Sequence, residues 1–286
     1  MTIWVAVVLG IVQGLFMFLP VSSTAHLVLV QHWLIERGEE MPAPDSPEMI
    51  LFDLVVHVGT IVSILVVFWP SFRPFCRNVW QGALAWAGRP GTTLPLYLRL
   101  FLLGMFSVLV TGVLGLTLRA YFQHVFAAPV LVAVNLTLTG ILLWWTDRLS
   151  RRPRGLRGIN LSVAGTIGVA QGLALMPGLS RSALTIVAAL FTGLKRRWAA
   201  EYSFFLAIPT ILAATAVQSL DVFMDKGLGS LGLDALAAAF VTAALVGIVA
   251  LKIVLGLLYR ARLKVFSFYV WALAAAVLLG VVDPGY

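Results

Sequence analysis

The chain has 286 residues, of which 60% are hydrophobic and only 11% are charged, and its mean hydropathy is +0.98. Because a soluble domain usually carries about a quarter charged residues, this composition excludes an ordinary soluble protein and indicates one that resides in a lipid bilayer. The net charge of +8 does not indicate a nucleic-acid partner, since the basic residues fall in a few short segments between apolar stretches. The single cysteine, Cys76, excludes an internal disulfide and a cysteine-based metal site.

The first element, residues 1–34, is an apolar stretch that is interrupted by Pro20 and by the polar residues of FLPVSSTAH at 18–26. No lysine or arginine precedes Arg37, so the stretch lacks the basic start of a cleavable signal peptide. Proline removes a helical hydrogen bond and kinks or breaks a helix interior. We therefore predict a helical hairpin whose two ends lie on the same side of the membrane.

A helix needs about 20 mostly apolar residues to cross the hydrocarbon, and six later segments meet this requirement. The predicted spans are 49–69, 99–118, 126–145, 199–220, 235–258 and 266–283. Most basic residues lie in segments 73–99, 148–157, 195–197 and 260–264, whereas segments 36–48 and 221–234 are acidic. Lysine and arginine mark the cytoplasmic side, so this alternation predicts the direction of each span.

The apolar stretch 160–194 follows the third span. It agrees with these charges only if it also enters and leaves on one side, with a break near Pro177 and Gly178. Its sequence AQGLALMPGLSRSA at 170–183 matches VQGLFMFLPVSSTA at 12–25. Three spans separate the two hairpins, so the hairpins point in opposite directions and predict an inverted-topology repeat.

The predicted fold class is therefore an all-α polytopic membrane protein with six transmembrane helices plus two re-entrant helical hairpins. It forms a single integral membrane domain, 1–286, whose inverted repeats are approximately 1–146 and 160–284. Irregular polar backbone at membrane depth is tolerated only where protein buries it or where it lines a wet cavity. Helix N-termini at such breaks attract anions, so the paired breaks predict a buried anion site.

Arg181 is the only lysine or arginine in either hairpin, and a charge at that depth marks a functional candidate. Its planar guanidinium suits bidentate phosphate binding, and the alternative is a structural ion pair with Glu201 or Asp53. Ser180 and Ser182 flank it. Their hydroxyls either donate to phosphate oxygens or only satisfy the backbone of the broken helix.

The first hairpin carries a second polar cluster, Ser22, Ser23, Thr24 and His26. A serine near a histidine is a candidate nucleophile, because the imidazole can act as a general acid or base. The alternative is that these residues serve only as helix caps and polar packing. His57 lies within a predicted span and faces either the same cavity or a packed interior.

Four stretches carry a family resemblance: LGIVQGLFMFLPVSSTAHLVLV at 9–30, FDLVVHVGTIVSILVVFW at 52–69, PGLSRSA at 177–183 and AEYSFFLAIPTILAA at 200–214. In this order they resemble the bacitracin-resistance family of undecaprenyl-pyrophosphate phosphatases over nearly the whole chain. The resemblance implies a multi-pass enzyme of the bacterial inner membrane with its site facing the periplasm. Such an enzyme removes the terminal phosphate of undecaprenyl pyrophosphate and gives the monophosphate lipid carrier for cell-wall synthesis.

Carried over residue by residue, the resemblance implies that Ser23 is the nucleophile, that His26 serves acid–base or binding work, and that Arg181 binds phosphate. The implied substrate-binding neighbours are Gln13, Ser22, Thr24, Ser180 and Ser182. A divalent metal, magnesium or calcium, assists members of the family. The implied partners are a polyprenyl pyrophosphate lipid and the membrane, without nucleic acid. A homodimer is one of the oligomeric states that the sequence leaves open.

The chain departs from the family motifs at three positions. Met17 stands where the first hairpin's Glu/Gln-x-x-x-Glu motif has its second glutamate, and Ala25 and Ala183 replace glycines. A thioether does not bind a hard cation, which prefers oxygen ligands. The metal site is therefore uncertain from the sequence, and a polyprenyl-phosphate flippase or lipid-binding paralogue without turnover stays open as an alternative. A type 2 phosphatidic acid phosphatase is excluded, because SRSALTIVAALFTG lacks the histidine that such enzymes need.

Overall fold

The computed structural model describes residues 1–44, 46–88, 93–126, 129–149, 153–176, 178–224 and 231–280. These residues form ten α-helices and a short 3-10 helix at Leu156–Gly158. The helices are α1 Ile3–Phe16, α2 Ser23–Glu36, α3 Pro47–Ala87, α4 Leu96–Phe126, α5 Pro129–Arg148, α6 Leu161–Leu173, α7 Arg181–Phe191, α8 Arg196–Met224, α9 Leu233–Tyr259 and α10 Lys264–Leu278. The predicted all-α class is confirmed for the described part of the chain, where the only β pairing is an isolated bridge.

Five of the described helices are long and apolar enough to cross a membrane, namely α3, α4, α5, α8 and α9. Four of them contain one of the first five predicted spans, and α5 contains the span 126–145 from Pro129 onwards. The sixth predicted span, 266–283, corresponds to α10, which has 15 residues. The last residues of that span, 281–283, lie outside the described residues. The polytopic helical architecture is thus confirmed, while the count of six spans stays a prediction.

Helix α3 is longer than its predicted span, 49–69, because it continues without interruption to Ala87. Pro70 and Pro74 lie inside it, although each proline removes a helical hydrogen bond. The rings of Phe68, Phe72 and Phe75 all pack against Phe205 of α8 at centroid distances of 5.6 to 5.9 Å. Aromatic packing on both sides of the prolines therefore stabilises the helix. Arg73 and Arg77, the first basic residues after the span, lie on this helix and not in a loop.

Both predicted hairpins are pairs of packed helices joined by a short turn, α1 with α2 and α6 with α7. Each turn contains a residue with positive φ, Ser22 at 68° and Gly178 at 82°. The backbone of Gly178 packs against the carbonyl of Val132 in α5, where a side chain would collide. The predicted break is confirmed at Gly178, and Pro177 lies outside the described residues.

The first helix of each hairpin packs against a long helix from the other half of the chain: α1 against α9, and α6 against α4. A Cβ atom added at Gly10 or Gly14 would lie only 2.7 or 2.6 Å from the carbonyl oxygens of Ala239 and Ala243. A Cβ atom added at Gly168 would likewise lie 2.7 Å from the Ser107 carbonyl oxygen of α4. Small residues let membrane helices approach this closely.

Gly14→Ala is expected to lower the melting temperature of the purified protein in detergent by several degrees. The added methyl group overlaps the Ala243 carbonyl, and overpacking of this kind costs about 1–3 kcal/mol. Gly104→Ala is the matched control, because nothing lies within 4 Å of the position that its Cβ would occupy. Equal melting temperatures for the two variants would contradict the close packing of α1 on α9.

Candidate functional site

The turns of the two hairpins meet in the interior of the protein. The Nη2 atom of Arg181, at the start of α7, lies 3.7 Å from the Met17 sulfur at the end of α1. The Nε2 atom of Gln13 lies 3.6 Å from the same sulfur. Phe18 and Leu179, which belong to the opposite turns, are buried in one hydrophobic cluster. The fold therefore joins two polar segments that are more than half of the chain apart.

Arg181 has no carboxylate partner among the described residues, although the sequence offered two candidates. Glu201 is 2.9 Å from the Nε atom of Arg197, and Asp53 accepts a hydrogen bond from Gln31 at 3.3 Å. The structural ion pair considered for Arg181 is therefore wrong. A partly buried guanidinium whose nearest polar neighbour is a thioether keeps its full charge for an external anion.

His57 lies in α3 and is partly buried. The Nδ1 atom of His57 is 2.6 Å from the backbone carbonyl oxygen of Asp53, one turn earlier in α3. Because a carbonyl oxygen only accepts, Nδ1 carries the hydrogen and Nε2 is unprotonated in the neutral ring. Which of the two placements considered for His57 holds stays a prediction.

The N-terminus of α7 is capped by its own serine. The Oγ atom of Ser180 accepts a hydrogen bond from the backbone N–H of Ala183 at 3.4 Å and lies 3.3 Å from the Oγ atom of Ser182. Both hydroxyls are buried. Ser180 thus accepts from a backbone N–H at the start of α7, which is one of the two roles considered for its hydroxyl. The long distance of the cap leaves both hydroxyls able to turn towards a ligand.

The N-terminus of α2 lacks such a cap. Ser22 occupies the N-cap position, but its side chain accepts no hydrogen bond from the helix. Ser23, the first residue of α2, is partly buried, and the side chain of Thr24 lies outside the described part. The first N–H groups of a helix have no partner within it and carry partial positive charge. The end of α2 that bears Ser23 is therefore suited to bind an anion.

His26 is held by three elements at once. Its Nδ1 atom is 2.7 Å from the Ser22 carbonyl oxygen, and its Nε2 atom is 2.6 Å from the hydroxyl of Tyr269 in α10. Its ring stacks on Phe16 of α1 at a centroid distance of 3.9 Å. No hydrogen bond joins Ser23 to His26 among the described contacts. Tyr269 was missed by the sequence analysis, since it lies 243 residues from His26 and belongs to no motif.

The residues at the meeting point do not form a ligand set for a resident divalent metal. The described residues contain no group of three or more His, Cys, Asp or Glu side chains that could hold an ion. Gln13 offers a buried Oε1 atom without a hydrogen-bond partner, but the adjacent Met17 offers only a thioether. Hard cations require several oxygen ligands, so we derive no chemical step through a protein-held metal.

The fold and the site define a class, a helical membrane protein in which an arginine at the turn of one helical hairpin contacts the turn of the other. The chain matches the family model described as bacitracin resistance protein BacA over residues 6–276. It is 68% identical over 284 residues to an undecaprenyl-diphosphatase of Alkalilimnicola ehrlichii, and the aligned region covers 99% of this chain and 98% of the relative. It is 65% identical over 285 residues to an undecaprenyl-diphosphatase of Halorhodospira halophila, which covers 99% of each chain. The chain belongs to the BacA bacitracin-resistance family, and the resemblance found in the sequence is confirmed.

Proposed function

We propose that this protein is an undecaprenyl-diphosphatase, which hydrolyses undecaprenyl pyrophosphate to the monophosphate lipid carrier. The observation that carries the proposal is the approach of Arg181 to the turn of the first hairpin, 3.7 Å from Met17. It brings the arginine to the turn that leads into the serine-bearing end of α2. The names of the relatives from Alkalilimnicola and Halorhodospira support hydrolysis over the flippase or lipid-binding alternative.

The proposed reaction uses Arg181 and the free N–H groups of α2 to hold the pyrophosphate. These donors stabilise the charge that develops on the transferring phosphoryl group. The Ser23 oxygen attacks the terminal phosphorus and loses its proton to Nε2 of His26, since Nδ1 donates to the Ser22 carbonyl; the Tyr269 hydroxyl must first turn away from Nε2 to free its lone pair. The bond to the bridging oxygen breaks, and undecaprenyl monophosphate leaves. Water then cleaves the phosphoserine, which releases phosphate and restores the serine.

The proposed topology has six spans and two re-entrant hairpins in the bacterial inner membrane, with the site facing the periplasm. Its support is the alternation of acidic and basic segments along the chain and the equivalent packing of α1 on α9 and of α6 on α4. This equivalence is what inverted repeats at 1–146 and 160–284 would produce. A homodimer stays a prediction.

Magnesium or calcium, in this proposal, accompanies the pyrophosphate instead of residing in the protein. Phosphate oxygens are the hard ligands that these ions prefer, whereas Met17 replaces the acidic residue of the family motif. Protein that has been treated with chelator and desalted should therefore regain its full rate as soon as the ion is added with substrate. A slow or incomplete recovery would indicate a resident metal.

The test of the function is phosphate release from undecaprenyl pyrophosphate by the purified protein in detergent, with magnesium, with calcium and with chelator. Met17→Glu is the informative variant, because it places a carboxylate beside Arg181 and Gln13. At a fixed magnesium concentration it should raise KM about tenfold, since hydrogen bonds to charged groups contribute roughly 1.5–3 kcal/mol and the new pair competes with the substrate.

Met17→Gln is the matched neutral control and should leave KM nearly unchanged. A Met17→Glu protein that turns over while the wild type does not would contradict the proposal. That result would mean that the natural chain has lost its catalytic acid and binds or moves the lipid without hydrolysing it.

A further inference from the structure

A large cavity lies between α3, α4 and α8, at the end of the protein where α4 and α8 begin. Its volume is about 640 Å³, within the range of about 300–1,000 Å³ that is typical of ligand sites. Gly104 of α4 lines it, and nothing lies within 4 Å of the position that a Cβ atom would occupy there. We propose that this cavity binds one anionic phospholipid of the membrane, with an acyl chain between the helices and the phosphate at Arg197.

The cavity is lined mainly by apolar side chains and is open along one edge. Phe101, Met105 and Leu212 line it, yet they are 43%, 40% and 48% exposed. The three helices around it are long and apolar enough to cross a membrane, so this exposed edge faces hydrocarbon. An acyl chain can therefore enter from the side, whereas a water-soluble ligand would have to pass through lipid.

The length of the cavity matches one leaflet of a bilayer. Its lining on α8 extends from Arg197 to Leu212, which is about 22 Å at a rise of 1.5 Å per residue. One leaflet with its headgroup region is about 20–22 Å thick, half of a whole bilayer. Trp80 and Trp198 line the outer part of the cavity, and tryptophan is enriched at the membrane–water interface. The cavity thus runs from the headgroup level inwards, as a lipid chain does.

Arg197 lies at the outer end of the cavity and is held in position by its neighbours. Its Nε atom donates to Oε1 of Glu201 at 2.9 Å, and its guanidinium carbon lies 4.8 Å from the ring centroid of Trp198. Ser71 donates to the same carboxylate oxygen at 3.4 Å. The described hydrogen bonds of Arg197 use only Nε, and its side chain is 62% exposed. The two terminal nitrogens can therefore donate to phosphate oxygens from a preorganised guanidinium.

The outer end of the cavity carries more positive than negative charge. Among the described residues that line it, Glu201 is the only acid, and Arg197 neutralises it. Arg157 adjoins Leu156, which lines the cavity, and its carbonyl oxygen accepts a hydrogen bond from Nη2 of Arg99 at 2.9 Å. Each basic residue near a membrane surface strengthens binding to anionic lipid about fivefold. The cavity therefore favours an anionic headgroup over a zwitterionic one.

Aromatic side chains separate the cavity from the turns of the two hairpins. Phe18 of the first turn packs on Phe204 at a centroid distance of 5.9 Å, and Phe204 packs on Phe68 at 5.8 Å. Phe68 in turn contacts Phe205, which lines the cavity. The phospholipid is thus a second lipid, distinct from the substrate, and hydrolysis in detergent does not require it.

Native mass spectrometry of delipidated protein in detergent tests the proposal, with phosphatidylglycerol and phosphatidylcholine of identical acyl chains as probes. One phosphatidylglycerol should bind, at least fivefold more tightly than phosphatidylcholine. Gly104→Leu should abolish this binding, because the new side chain extends into the space of the acyl chain. Gly112→Leu is the matched control and should bind as the wild type does, since this glycine of α4 is equally uncrowded but does not line the cavity.

Arg197→Gln tests the headgroup contact without filling the cavity, and it keeps the proposal testable if Gly104→Leu does not fold. It should lower the affinity for phosphatidylglycerol about fivefold and leave that for phosphatidylcholine unchanged. Arg73→Gln is its control, because it removes an exposed arginine of α3 that does not line the cavity. Its affinity for phosphatidylglycerol should stay near that of the wild type.

Equal binding of the two phospholipids by the wild type, or undiminished binding by Gly104→Leu, would overturn the proposal. Undecaprenyl phosphate is the third probe. If it displaces phosphatidylglycerol from the wild type and its own binding falls in Gly104→Leu, the cavity belongs to the lipid carrier and not to a phospholipid. None of these measurements depends on hydrolysis, so this inference and the proposed function can be rejected separately.

Discussion

Arg181→Ala should abolish recognition of undecaprenyl pyrophosphate and lower kcat/KM by about 10³-fold, the loss typical of an arginine that stabilises a transferring phosphoryl group. The physical reason is that Arg181 has no carboxylate partner among the described residues, so its charge is available for the substrate. Both kcat and the affinity for the lipid should fall, because the guanidinium contacts phosphate before and during the reaction. Steady-state phosphate release and equilibrium binding of the labelled lipid measure the two effects.

Arg181→Lys should recover only part of the rate, since an ammonium cannot form the bidentate contact of a guanidinium. Arg197→Ala is the control, because it removes an arginine of the same chain that pairs with Glu201 and lies away from the hairpin turns. Wild-type binding by Arg181→Ala would exclude this residue as the phosphate ligand. Loss of activity in Arg197→Ala as well would point to a general effect of charge on the protein.

Ser23→Ala should remove turnover and leave lipid binding intact. We expect kcat to fall about 10⁴-fold or more, as it does when a catalytic nucleophile is removed. The uncapped N–H groups of α2 and the Arg181 guanidinium do not depend on this hydroxyl, so the affinity should stay near that of the wild type. Phosphate release and the binding of labelled lipid, measured on the same preparation, separate the two effects.

Ser162→Ala provides the control, because Ser162 is an exposed serine in the first turn of α6 and its replacement has a similar effect on helix propensity. Its activity should equal that of the wild type. If Ser23→Ala hydrolyses the lipid at the wild-type rate, then the nucleophile assignment is wrong and an activated water must attack the phosphorus. Trapping of a labelled phosphoserine in the wild type distinguishes the two mechanisms directly.

Much of the architecture could be predicted because apolar length and the positions of breaks are local properties of a membrane sequence. Five spans and both hairpins were located from hydropathy, proline, glycine and the matching segments at 12–25 and 170–183. The prediction was wrong after the first span, which was expected to end at residue 69 but continues as helix to Ala87. Packing of aromatic rings on Phe205 maintains the helix there, and such contacts cannot be deduced from local sequence.

The site residues were predicted by type, but their partners were not. The i,i+4 spacing of Arg197 and Glu201 is a local signal for their ion pair, but nothing in the sequence showed that His26 reaches Tyr269. Both contacts bear on the site, since the first leaves Arg181 without a carboxylate partner among the described residues and the second puts a hydroxyl against Nε2 of the histidine. Hydrogen bonds between residues so far apart depend on how the helices pack.

Gln13 and Gln171 show the division between sequence and tertiary structure most clearly. By sequence alone they are equivalent, since each precedes a glycine at the same place in two matching segments. In the folded protein Gln171 donates to the hydroxyls of Thr111 and Thr210, whereas Gln13 points at Met17 beside the arginine. The sequence determined the membrane class and the polar residues at the breaks, and it predicts the repeat. Only the packing of different neighbours around each hairpin decided which copy is structural and which belongs to the site.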